Sequence, residues 1–364
     1  MIAHTLSASQ RLRSGPQSSR PDLSRPLVRP TLLPGLRRMW RGRHSLQLGV
    51  DPAHAVVLEL PDARVAGLLD LLDGARSERA VLAAAVRQCR VSAADARQLL
   101  DALCAAGLVV GAHSLLPRNL PDPVRRRLAG EAATLALRGT EPPGTPAQIL
   151  RRRSAARVVV AGHGQLAGPV GVALAQAGVG HVAPAAVPGR EPADSELAAA
   201  IARAAPGTKT FPLRHREATF AIQVGAAGPA VLTATGYAQR RLAHLAVAVR
   251  DGTVAIGPLV PPGGSPCLNC IDLHRTDRDP QWPLLAAQLA VPGFEPCAAT
   301  TALFAAGLAA AEVLAWLDGV GPAATLGASI EITAPGRQRR RSWSPHPGCH
   351  CVRRSRRSER ARAQ

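Results

Sequence analysis

The chain has 364 residues, enough for two or three domains with their own cores, and carries a net charge of +19. That charge is not laid out as a nucleic-acid footprint. Residues 1–44 hold nine Arg against Asp22, residues 337–364 hold ten Arg against Glu359, and the body between is close to neutral. Aromatics at 2% leave few stacking platforms for single strands, and seven cysteines, an odd number, suit a reducing cytosol better than a disulfide scaffold.

Residues 1–30 are rich in Ser, Pro and Arg without periodicity and read as a disordered basic tail, with no signal segment. A small module spans 31–138. Ser45–Val50 and Ala55–Leu60 are two strand runs joined at Asp51-Pro52. Three amphipathic helices follow: about 62–73, stopped by Gly74; about 77–89, opened by Ser77; and about 92–106, opened by Ser92 and stopped by Gly107. Leu108-Val109-Val110 then reads as a short returning strand, which completes a winged-helix-like α+β module. A DNA-reading third helix would need several cations, and this one offers only Arg97.

The run Leu68-Leu69-Asp70-Leu71-Leu72-Asp73-Gly74, then Ser77, then Leu99 to Leu108 ending Leu-Cys-Ala-Ala-Gly-Leu, resembles PqqD-like peptide-recognition modules. The resemblance implies that a leader peptide is gripped as an added strand at a sheet edge.

Gly139–Pro146 is a Pro/Gly/Thr stretch, and 139–154 reads as a linker; from 155 the pattern turns to alternating strand and helix. Arg157–Ala161 is a buried-strand run. Gly162-His163-Gly164-Gln165-Leu166-Ala167 follows, a G-x-G-x-x-A turn feeding a helix over 166–177 that stops at Gly178. In a Rossmann-like unit such glycines let backbone approach a phosphate, whose charge the helix N-terminus favours. Gly162, Gly164 and Ala167 are thus the candidate nucleotide residues, with Arg241 as a candidate partner for a phosphate or carboxylate. The next strand, His181–Pro188, lacks the acidic residue that would hold a ribose; no carboxylate comes before Glu191.

Cys267-x-x-Cys270 and Cys349-x-Cys351 supply four thiols in two tight pairs, the donor set of a closed, tetrahedral, structural zinc site. Such a site stabilises the fold and leaves no open position for chemistry. His274, His346 and His350 read as surface or supporting groups. Cys297 has no Lys or His neighbour to lower its pKa and reads, like Cys89 and Cys104, as a packing thiol. Ala298–Leu317 approaches membrane length, but Glu312 and its many alanines make it a buried helix.

With the glycine turn and the cysteines together, residues 155–351 resemble the ThiF/MoeB family of ubiquitin-activating-type adenylyltransferases. The matching pieces are Ala161–Val182, Leu232–Gly236 followed by Arg240-Arg241-Leu242, Val254–Pro258 running into Pro266–Cys270, and Cys297–Thr301 opening the long helix. The resemblance implies an α/β, Rossmann-like ThiF-type domain with structural zinc, often a homodimer, that activates a peptide or small-protein C-terminal carboxylate with ATP and magnesium. Two departures bear on that activity. The magnesium carboxylate of an Ala-Thr-Asp turn is matched here to Ala234-Thr235-Gly236-Tyr237, and the ribose carboxylate is missing. Magnesium needs hard oxygen ligands.

A recognition module followed by a depleted activating-type domain ending His346–Cys351 also resembles the leader-binding partners of azoline-forming cyclodehydratases. There, the resemblance implies, a separate YcaO-type enzyme performs the ATP-dependent chemistry. The reading is a cytoplasmic scaffold, with no catalytic residue of its own, for a ribosomally made precursor peptide or small protein. The alternatives are an active adenylyltransferase and a nucleic-acid-associated winged helix. Residues 352–364 form a second disordered basic tail.

Overall fold

Strand alternation and helix caps decide the first unit, Met1–Arg151. The computed structural model describes residues 4–6, 27–52, 54–138, 144–162, 164–185, 196–213, 217–225, 229–289, 294–319 and 321–351. The strands here are β1 (His4–Leu6), β2 (Pro30–Leu32), β3 (Arg38–Trp40), β4 (Ser45–Leu48), β5 (Val56–Glu59) and, beyond three helices, β6 (Val109–Gly111). β3, β4 and β5 form an antiparallel meander, and β1 joins β5 in parallel. The returning strand does not join that sheet: β6 pairs with β2 instead, a strand with no period to announce it.

Asp62 caps a short 3-10 turn that runs into α1 (Leu68–Leu71). Ser77 Oγ accepts from Ala80 N at 3.3 Å to open α2 (Glu78–Ala84), and Ser92 Oγ accepts from Asp95 N at 3.0 Å to open α3 (Ala93–Ala105). Each cap satisfies an otherwise orphaned N–H, which is why these helices begin where the sequence placed them. Leu46, Leu48 and Leu58 of the sheet bury against Leu68, Val81, Leu100 and Leu103. α4 (Ala112–Leu115), α5 (Asp122–Leu137) and α6 (Pro146–Ala155) follow. Ile149 and Leu150 of α6 are buried with Leu115, Leu128 and Leu135, so the stretch read as linker up to 154 contains helix and core.

The second unit, Arg152–Gln364, alternates as an α/β domain requires. Its elements are β7 (Arg157–Ala161), α7 (Ala167–Gln176), β8 (His181–Pro184), α8 (Glu196–Ala204), β9 (Phe220–Val224), α9 (Ala230–Gln239), β10 (Ala243–Arg250) and β11 (Thr253–Val260). They continue with α10 (Leu268–Thr276), α11 (Trp282–Leu289), α12 (Ala299–Asp318), β12 (Ala328–Ala334) and β13 (Arg337–Ser342). One seven-stranded sheet has the order β13-β12-β11-β10-β9-β7-β8, parallel from β8 to β10 and antiparallel beyond. Phe220, Ile222 and Val224 face a core shared with Val170 and Leu174 of α7, Ile201 of α8 and Ala305, Ala309 and Val313 of α12. Ala221 and Gln223 face the other way, toward Tyr237 of α9.

Among the described residues, α12 is the one helix long and apolar enough to cross a membrane. Its buried residues Ala302, Ala305, Ala306, Ala309, Ala310 and Val313 recur at helical spacing, a small-residue stripe that lets it lie close on the sheet. Glu312 is buried because it is used: its Oε2 accepts from Thr325 N at 2.7 Å and from Thr325 Oγ1 at 2.6 Å.

Arg153 and Asp318 form a buried, bidentate ion pair at 2.8 and 2.6 Å, and Arg153 Nη1 also donates to Ala177 O at 3.0 Å. Removing one partner leaves a buried charge uncompensated, at a cost of about 3–5 kcal/mol. Asp318→Ala is expected to lose that much in urea unfolding at pH 7; a loss below about 1 kcal/mol would take the pair out of the stability account.

Candidate functional site

Two features of the second unit carry chemistry-bearing side chains or backbone. The first is the cysteine cluster. β11 ends at Val260, Pro261–Pro266 turn the chain, and Cys267 stands just before the first residue of α10 with Cys270 one helical turn on. The segment after β13 returns Cys349 and Cys351, with Cys349 N donating to His346 O at 2.9 Å. Sulfur separations are 4.0 Å for Cys267–Cys270, 3.6 Å for Cys267–Cys349 and 3.3 Å for Cys270–Cys351, and all four lie within 4.8 Å of one another. Sulfurs bound at about 2.3 Å around a tetrahedral ion sit about 3.8 Å apart, so this cluster could hold such a metal.

Neighbouring groups orient the sulfurs. Asn269 Nδ2 donates to Cys349 Sγ at 3.3 Å, and Ser265 Oγ lies 3.2 Å from Cys351 Sγ. His346 Nδ1 accepts from Gly348 N at 3.1 Å, which leaves the ring proton on Nε2, 2.9 Å from Asp277 Oδ2. His274 Nε2 lies 2.9 Å from Ser344 O. With these bonds made, both rings brace the loop that presents Cys349; with Asp277 they also form a group close enough to hold a metal ion. Without a cation the thiols compete for protons. Hydrogen bonds from Cys267 and Cys351 hold the Cys270 thiol below its ordinary value, and hydrogen bonding to Cys270 and Cys351 pushes Cys267 up. A soft divalent ion ends the competition by taking every sulfur as thiolate.

The second feature is the glycine turn. β7 lies between β8, which follows it, and β9, to which the chain then crosses back, so the turn after β7 is a topological switch point. Gly162 and Gly164 have φ of +106° and +94°. A Cβ at Gly162 would run into the Val224 carbonyl at the end of β9. Ala167 starts α7 and no side chain caps it, so backbone N–H groups there suit an anion. His163 and Glu191 lie outside the described residues.

Other sequence expectations move. Arg241 is not brought to this turn: it precedes Ala243, paired with Phe220 at the start of β9, whereas Gly162 follows Ala161, paired with Gln223 near its end. The two are at opposite ends of the sheet, at least about 10 Å apart along the strands. Ala234-Thr235-Gly236-Tyr237 is no turn but the middle of α9, where Tyr237 Oη donates to Gln223 Oε1 at 2.9 Å. In sequence β9 is followed by Gly225-Ala226-Ala227-Gly228, which has no carboxylate, and β8 ends at Pro184 without one; residues 226–228 lie outside the described residues. The mostly apolar run Phe220–Val224 before a glycine was the signal that could have placed the end of β9.

Cys297 is half-exposed and burial pushes its thiol up, the wrong direction for a nucleophile. Trp282 packs, its Nε1 donating to Asp272 Oδ1 at 2.7 Å with Arg275 over its ring. Arg97 is paired with Glu78 at 2.6 Å and Asp101 at 3.1 Å. One group the sequence did not flag is His244, buried beside an apolar cavity lined by Val231, Ala234, Leu242, Val260 and Pro261. Its Nδ1–H donates to Leu242 O at 3.2 Å, its ring stacks on Tyr237 at 4.3 Å, and burial pushes it down to about 4.

No family model matches the sequence, and neither does any curated protein. Solved structures do. E. coli MccB bound to AMPCPP and MccA aligns at TM-score 0.56 and 15% identity, over 88% of this chain and 99% of that one. The microcin C7 biosynthetic enzyme MccB with N-formylated MccA gives 0.55 and 14% over the same shares. PaaA gives 0.55 and 14% over 85% of this chain and 98% of its own. At these identities the likeness is one of fold: the chain has a mixed α/β, ThiF-like fold.

Two outcomes are expected. Purified protein should hold one divalent ion per chain and release it on acidification, as the thiolates reprotonate; Cys349→Ser should at least halve that content by elemental analysis and lower the thermal midpoint. His244 should make stability fall with acid. The unfolded ring takes its proton near pH 6.5 and the folded ring only near 4, so the unfolded state binds more protons between them. Stability should drop through that window by on the order of 3 kcal/mol. His244→Gln should flatten that slope relative to the parent in denaturant titrations; an unchanged slope would assign it to other groups.

Proposed function

We propose that this protein binds an extended peptide or small protein and presents it to a separate modifying enzyme, without adenylating it. The observation that carries the reading is the turn at the switch point: phosphate-type backbone geometry at Gly162, Gly164 and Ala167, with no carboxylate among the described residues that end β8 and β9. ATP chemistry of the activating type needs magnesium held by hard oxygens to neutralise the leaving pyrophosphate. A phosphate cradle alone binds; it does not activate.

Peptide binding draws support from MccB, whose structures include complexes with MccA over a fold covering 88% of this chain. The small meander sheet of the first unit, flanked by three helices, supplies the edge on which such a peptide would add as a strand. Zinc is the ion we assign to Cys267, Cys270, Cys349 and Cys351, since four thiolates in a closed tetrahedron suit it and leave no position for substrate. Its role is to fix the α10 end of the domain. A precursor peptide as cargo, a YcaO-type enzyme as the one served, a homodimer and a cytoplasmic location complete the proposal.

A second reading, adenylation of a peptide carboxylate, is favoured by the glycine turn, by the uncapped α7 N-terminus and by the structure of MccB with ATP. A nucleic-acid role has less behind it, because Arg97, the only cation on α3, is already neutralised. ATP–pyrophosphate exchange separates the first two. With Mg·ATP and peptides bearing free C-termini, exchange should stay at background and calorimetry should show no binding at tens of micromolar. Exchange above background would hand the function to the second reading.

A further inference from the structure

The free side of β5 is occupied by the chain itself. β1 pairs with it in parallel, His4 opposite Val56, Thr5 opposite Val57 and Leu6 opposite Leu58. On its inner side β5 is antiparallel to β4, and just past the strand Leu60 N donates to His44 O at 2.7 Å. Antiparallel bonding alternates residue by residue, so Val56 and Leu58 turn their backbone groups to β4 while Val57 and Glu59 turn theirs outward. Val56, Val57 and Leu58 are all buried. Left open, a strand so placed is a template for any extended chain, and natural sheets cover such edges.

We propose that residues 4–6 are an internal plug on this edge, an autoinhibitory strand that an incoming extended peptide has to displace. The purpose of the plug rests on the peptide-binding reading above; its existence does not. β1 is three residues long, so it closes few ladder bonds and yields to a longer strand that closes more. Residues 7–29 join it covalently to β2, and a connection of this length holds its end at an effective concentration on the order of millimolar. Weak pairing at high local concentration makes a filter: short or poorly matched peptides lose to the plug, and a long apolar strand wins. In a parallel pair, Val57 C=O receives the N–H of Leu6, which makes Leu6 the position where one backbone change releases β1.

The test uses the chain's own segment as probe. A fluorescein-labelled peptide of residues 1–12 is titrated by anisotropy into the full chain, a chain lacking residues 1–26, and full-length Leu6→Pro. Binding to the last two should be about tenfold tighter than to the parent chain. Equal binding to all three, or no binding to the truncated chain, overturns the plug. Val57→Pro in the truncated chain removes an outward N–H without touching the β4 ladder and should abolish binding with the far-UV spectrum unchanged; retained binding places the contact elsewhere. Amide exchange gives a reading that needs no truncation. Val57 and Glu59 should be protected in the parent and lose at least tenfold protection in Leu6→Pro, and unchanged protection overturns the plug. Failure of foreign peptides to bind would count against peptide recognition and leave these readings as they stand.

Discussion

Four sulfurs within reach of a single ion tie the start of α10 to the segment after β13. Between the two pairs run α10, α11, α12, β12 and β13, so one cluster bounds the stretch that supplies the two outer antiparallel strands and lays α12 across the sheet. Closing a loop of that length removes much freedom from the unfolded chain, and a metal ion that needs all four thiolates makes the closure depend on folding. The braces around it agree: Asn269 and Ser265 contact the sulfurs, and His346 shapes the turn that presents Cys349.

The parallel half is held differently, by packing and one buried ion pair. Gly162 is needed there whatever binds, because a side chain would meet the Val224 carbonyl. The glycine turn is therefore partly a consequence of how closely β7 and β9 approach, and glycine by itself is poor evidence of a nucleotide. Activation needs charges, and the described residues that close β8 and β9, Pro184, Ala185, Val224 and Gly225, carry none. Fold and chemistry are separate questions at this site: the ThiF-like backbone is present, and backbone alone does not fix what is done on it.

In the first unit the same logic of backbone need governs β5. A buried apolar strand cannot leave its outward N–H and C=O groups open without inviting partners, and three residues from the far N-terminus meet that need. An edge closed by so short a strand is closed reversibly.

What was legible in the sequence was local or periodic. Ser77 and Ser92 announced α2 and α3, the run Arg157–Ala161 before Gly162 announced β7 and its turn, and the two cysteine pairs announced a shared cluster, because caps, strand runs and ligand spacing are written within a few residues. What was not legible depended on partners distant in the chain. β6 chose β2 over the meander, α6 buried Ile149 and Leu150 inside an apparent linker, Ala234–Tyr237 became helix, and Arg241 fell at the far end of the sheet from Gly162. Sequence alone thus determined the capped helices, the strand run before the glycine turn and which cysteines would act together. Only the tertiary structure decided which strand lies beside which, since register and burial are set by the whole hydrophobic core and by no single segment.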